Sequence, residues 1–169
     1  MNLDADIVPG RSIAGLTLGE DALELIVRLQ QQHSVKEIPG MNPNFARYEI
    51  DEALRLVVDS RDFKIVELAA LVGYRRPLFG YVRAGMSVRE LIVGAPSALL
   101  KQIHLFNDML YLDRAESVGF LLPPQYDDFD RIDDLPGDFV LDALHVVPPT
   151  FYQARGRDGK LIWRMVGVD

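Results

Sequence analysis

The chain has 169 residues, 49% hydrophobic and 25% charged, a balance that supports a packed core and excludes a largely disordered chain. Its formal net charge of −7 disfavours nucleic acid and anionic membranes as partners and favours encounter with basic ones. It contains no cysteine, which excludes disulfides, thiolate zinc sites and a cysteine nucleophile.

Residues 1–6 are acidic and lack the basic start and long apolar run of a signal peptide. No uninterrupted apolar stretch approaches the roughly 20 residues that a spanning helix needs. A soluble, cytoplasmic protein is therefore expected.

The first helix is expected over 21–32. Gly19 allows the sharp turn into it, Asp21 is a good N-cap, and Glu24 stands at the spacing of a capping box. Ala22, Leu25, Ile26 and Leu29 recur at helical spacing and predict one buried stripe. Strands are expected over 45–50, 53–59 and 63–71, rich in Val, Ile, Leu and aromatics, with a hairpin turn at 60–62.

The turn-and-cap pattern then returns. Gly85, Ser87, Glu90, Leu91 and Ile92 match Gly19, Asp21, Glu24, Leu25 and Ile26. This second helix starts at Ser87 and should end at Gly94-Ala95-Pro96, with a further helical turn around 97–102. Strands are expected over 109–113, 118–122 and 139–147. A last hairpin, 152–154 with 161–166, is expected to turn at Arg157-Asp158-Gly159. The reading is thus an α+β protein, a tandem repeat of helix followed by antiparallel strands. Its helices pack on one face of an antiparallel sheet. Residues 1–74 form the first unit and 75–169 the second, in one globular body.

No catalytic pattern is present. His33, His104 and His145 are far apart and fit no metal-binding spacing. His145 sits in an apolar strand, which predicts a hydrogen-bonded core residue, and His33 follows the first helix, where its charge suits the C-terminus. There is no GxSxG elbow and no P-loop, and Gly15 and Gly19 do not make a GxGxxG cradle. No enzyme activity, metal or cofactor is expected. Tyr48, Tyr74, Tyr81, Tyr111 and Trp163 are candidates to line a ligand pocket, but aromatics in strands are more often core.

The most distinctive segment is 125–138, which sets six aspartates against one arginine. A solvated loop of turn-forming Asp is one reading. Calcium binding is another, although the spacing lacks the central Gly and final Glu of an EF-hand loop. A docking surface for a basic protein is the third. In it Tyr126 and Phe129 supply apolar anchors and Asp127, Asp128, Asp130, Asp133 and Asp134 pair with Lys and Arg. Asp59, Asp62, Asp113 and Glu116, at two hairpins, are candidates to extend the negative field.

The phrase Ala84-Gly85-Met86-Ser87-Val88-Arg89-Glu90-Leu91-Ile92, followed by Gly94-Ala95-Pro96, resembles the helix start of the β-lactamase-inhibitor-protein-like and BamE-like families. The resemblance implies helix–hairpin units followed by sheet, carried in tandem by the inhibitors. Those families are exported and the inhibitors carry cysteines, so the resemblance does not imply a direct β-lactamase inhibitor here. An acidic, cytoplasmic, non-enzymatic chain of this size also resembles the immunity proteins of bacterial toxin systems. That likeness implies a cognate toxin, or another basic protein, as partner. Nucleic acid and membrane are not expected partners. A structural or adaptor domain and a small-ligand-binding domain are the alternatives.

Overall fold

Two short strands, β1 (Ser12–Ile13) and β2 (Leu16–Thr17), pair across a tight turn in which Ala14 and Gly15 have φ of 58° and 80°. Ala14 is buried, and the buried Tyr74 ties this hairpin down. The Tyr74 hydroxyl donates to the Ala5 carbonyl at 2.8 Å and accepts from the Ala14 N–H at 3.1 Å. This is the computed structural model of the chain, and it describes residues 1–39, 42–106, 108–126 and 131–149.

Helix α1 (Ala22–Gln30) follows Gly19, whose φ of 79° is the left-handed turn that glycine makes without steric cost. Asp21 caps α1 through the Leu23 N–H at 3.1 Å. The carboxylate bonds the second helical residue, and the reciprocal bond expected from Glu24 is not formed. Helix α1 is nine residues long, shorter than expected. Its buried residues are Ala22, Leu25 and Leu29, whereas Ile26 is only partly covered.

Four strands follow: β3 (Val35–Ile38), β4 (Phe45–Ile50), β5 (Leu54–Asp59) and β6 (Ile65–Ala70). After Gly85, again left-handed at φ 81°, come β7 (Met86–Ser87) and α2 (Val88–Gly94). Here the capping box is complete. The Glu90 N–H donates to Ser87 Oγ at 3.2 Å, and the Ser87 N–H donates to Glu90 Oε2 at 2.7 Å. Pro96 separates α2 from the four-residue α3 (Ser97–Leu100). The remaining strands are β8 (His104–Phe106), β9 (Met109–Tyr111), β10 (Val118–Leu121), β11 (Val140–Leu141) and β12 (Leu144–Val146).

Eight of these strands make one antiparallel sheet in the order β3-β4-β5-β6-β12-β10-β9-β8, while β11 pairs with β7. This corrects the expected α+β tandem repeat of helix followed by antiparallel strands. Strands β6 and β12 pair directly, Leu68 with Val146 and Ala70 with Leu144, and so complete one large eight-stranded sheet. A sheet cut there would leave two apolar central strands with unpaired backbone edges. The described residues are mainly sheet, with three short α-helices. What recurs along the chain is a local turn and cap. The expected strand over 139–147 is divided between β11 and β12, and the expected hairpin at 152–154 and 161–166 lies outside the described residues.

The main core lies on one face of the sheet. Leu54, Leu56, Leu68, Leu110, Val118, Phe120, Leu144 and Val146 are all essentially inaccessible to water. Ala22, Leu25 and Leu29 of α1, Val88 and Leu91 of α2 and Leu99 of α3 join them. Alternate residues form the opposite face, where Met109, Tyr111 and Val147 make a second, smaller cluster with Phe106. Among the described residues, no helix is long and apolar enough to cross a membrane.

Candidate functional site

The acid-rich segment is moored to the core at both sides of its described part. Residues Pro124–Tyr126 form a 3-10 turn, and the Tyr126 ring meets Phe139 edge-on, with centroids 4.9 Å apart. Asp127, Asp128, Phe129 and Asp130 lie outside the described residues. A second 3-10 turn, Ile132–Asp134, is closed at its start by Arg131. The Arg131 N–H donates to Asp134 Oδ2 and its guanidinium to Asp133 Oδ2, each at 3.2 Å. Leu135 is 4% exposed and Ile132 packs against the same core. Beyond it, the Gly137 and Phe139 carbonyls accept the Arg89 and Val88 N–H groups at the start of α2, both at 2.9 Å. Asp133, Asp134 and Asp138 are left exposed on this fixed backbone.

The other carboxylates considered for the same field behave differently. Asp59 is buried, and Arg61 holds it through a forked pair with contacts of 2.6 and 3.0 Å. The side-chain bond to Arg61 keeps its carboxyl below the usual range in spite of burial. Asp113 accepts from the Ser117 hydroxyl and from the Ser117 N–H, so it builds its own turn. Glu116 lies 3.6 Å from His104. Of the four, Asp62 alone is well exposed to water.

Each histidine is paired with a carboxylate. His33 Nδ1 lies 2.6 Å from Asp51 Oδ2, beyond the end of α1. His104 stacks on Tyr111 with ring centroids 5.4 Å apart. His145 is buried in the middle of the sheet and bonds Glu67 Oε1 through Nδ1 at 2.6 Å. It belongs to a transverse row that crosses all eight strands: Lys36, Glu49, Arg55, Ala69, His145, Gly119, Tyr111 and His104. Arg55 bonds Glu49 at 2.7 Å within that row. Burial alone would raise the Glu67 carboxyl, but the charge and hydrogen bond of His145, with Arg47 and Arg55 nearby, hold it below its ordinary value. Burial pushes the Tyr111 hydroxyl well up, with Glu116 and Asp113 adding to the shift.

A carboxylate-oriented imidazole can serve as a general base when a nucleophile stands within hydrogen-bond reach. His145 has Glu67 as its side-chain partner, and the nearby Ser117 hydroxyl is committed to Asp113. Among the described residues no group of three His, Asp or Glu side chains is placed to hold a metal ion. The described tyrosines do not converge on a pocket: Tyr48, Tyr74 and Tyr81 pack in the main core and Tyr111 on the opposite face. Trp163 lies outside the described residues. A cleft of ≈ 410 Å³ runs between α2, α3 and the Arg131–Asp133 corner, open to water.

The sequence reading missed an apolar surface. Leu23 and Val27 on α1 are 51% and 59% exposed, and Phe63 is 42% exposed. The signal was present, because Leu23, Ile26 and Val27 have the i, i+3, i+4 spacing of one helix face. No known family model matches the chain, and neither a curated protein nor a solved structure does.

Proposed function

We propose that this protein is a non-enzymatic, cytoplasmic inhibitor of the immunity type, which neutralises a basic protein toxin through an acidic surface. The observation that carries the reading is the moored acidic turn. Asp133, Asp134 and Asp138 stand exposed on a backbone held by Leu135 and by the start of α2. A surface already ordered loses little conformational entropy on binding, so its charge contributes to affinity and encounter rate. Arg131 offsets part of that charge, and the −7 of the whole chain adds a long-range field of the same sign. The immunity-protein likeness of an acidic chain of this size supports the same class of function.

The test is co-expression with the product of a neighbouring toxin-like gene, followed by size-exclusion chromatography and a growth assay. The expected result is a co-eluting complex and rescue of growth. A folded protein that neither co-elutes nor rescues overturns the reading for that pair.

A further inference from the structure

Helix α1 carries two apolar stripes. One, Ala22, Leu25 and Leu29, is buried in the core. The other runs through Leu23, Ile26 and Val27, with Leu23 and Val27 more than half exposed. A surface helix ordinarily shows one apolar stripe and a polar outer face. Single exposed apolar residues need no explanation, whereas a group on adjoining elements marks an interaction site.

Phe63 extends the group. Its carbonyl accepts the Ala22 N–H at 2.8 Å, which holds this residue against the first turn of α1. Phe63 has φ of 59° in the turn between β5 and β6. That conformation is free for glycine and strained for an aromatic residue. The strained position presents a partly exposed aromatic ring in the turn that bonds the start of α1.

Around this patch four carboxylates stand against three cations, Arg28, Arg61 and Lys64. Glu20, Asp21 and Glu24 stand around the start of α1, and Asp62 precedes Phe63. Lys64 lies 3.7 Å from Asp21, and Arg61 is committed to Asp59. Asp62 accepts the Lys64 N–H at 3.0 Å and adds to the negative field at Arg61. We infer that Leu23, Val27 and Phe63 form a docking surface for a protein segment that offers apolar side chains flanked by Lys and Arg. The inference rests on the protein-binding reading above and assigns it a second contact, apart from the acidic turn.

The test is an NMR titration of the full chain with an amphipathic helical peptide of leucine and lysine, at low and moderate salt. Amide shifts are expected over 20–28 and 60–64, weakening as salt rises. Leu23→Ser with Val27→Ser should lower affinity about tenfold or more, from lost apolar burial. Phe63→Gly should also weaken binding while the unfolding midpoint stays the same or rises, because the left-handed strain is relieved. Shifts confined to 131–138 would overturn this surface and leave the inhibitor reading standing. A peptide that moves no resonance would overturn the surface and count against any basic partner.

Discussion

Glu67 and His145 meet on neighbouring strands at the middle of the sheet, 15% and 9% exposed in their side chains. Neither polar group is well hydrated there, so each depends on the hydrogen bond between them. The carboxyl pKa is lowered in the folded state, as it is at Asp51 and Asp59. At Asp51, burial acts upward and is outweighed by the Ser34 N–H and by His33. In the interval between the folded and unfolded pKa values, the unfolded chain binds more protons than the folded one. Stability from these groups is therefore present above the ordinary carboxylate range and lost as pH falls through the folded values. The urea midpoint should fall as pH drops below about 5. Glu67→Gln should cost about 1–3 kcal/mol at neutral pH and flatten the acid limb. An identical pH profile in the variant would show that this pair does not carry the effect.

Strand β10 has a glycine where the transverse row passes between His145 and Tyr111. A Cβ at Gly119 would lie 2.5 Å from the Leu110 carbonyl and 3.1 Å from the Tyr111 Cα. These are backbone atoms of β9, so the two strands would have to separate. Gly119→Ala should destabilise the fold by about 2 kcal/mol, read as a lowered denaturant midpoint with unchanged slope. A midpoint equal to that of the parent would contradict the close approach. Elements whose signals are local were legible in the sequence. The Ser87–Glu90 box and the stop before Pro96 follow from side chains a few residues apart. Strand β4 occupies the expected span, Phe45–Ile50. Strand β3, by contrast, hides behind Lys36 and Glu37, charges that suit an exposed sheet edge and blur the apolar alternation. Strand β8 is three residues long and gives periodicity too little to act on.

At the scale of the whole molecule, the join of β6 to β12 decides the architecture, and it links residues remote in sequence. No local rule reveals such a pairing, so the strand order across the sheet was not legible in the sequence. The same limit applies to the site. Composition picked out the acidic segment, but the hydrogen bonds that moor it to α2 come from tertiary structure. Burial removed Asp59 from the negative surface, and the strain at Phe63 is invisible until its φ is known. The central claim is that an ordered acidic turn meets a basic partner. Its most direct test is the association rate with the protein that co-elutes in the co-expression test, at low and high salt, for the parent and for Asp133→Asn with Asp134→Asn and Asp138→Asn. Asparagine keeps a hydrogen-bond acceptor for Arg131, so the turn should persist while its charge is lost. The variant should associate about tenfold more slowly at low salt and show a shallower salt dependence, at unchanged stability. An on-rate and salt dependence equal to those of the parent would contradict the account.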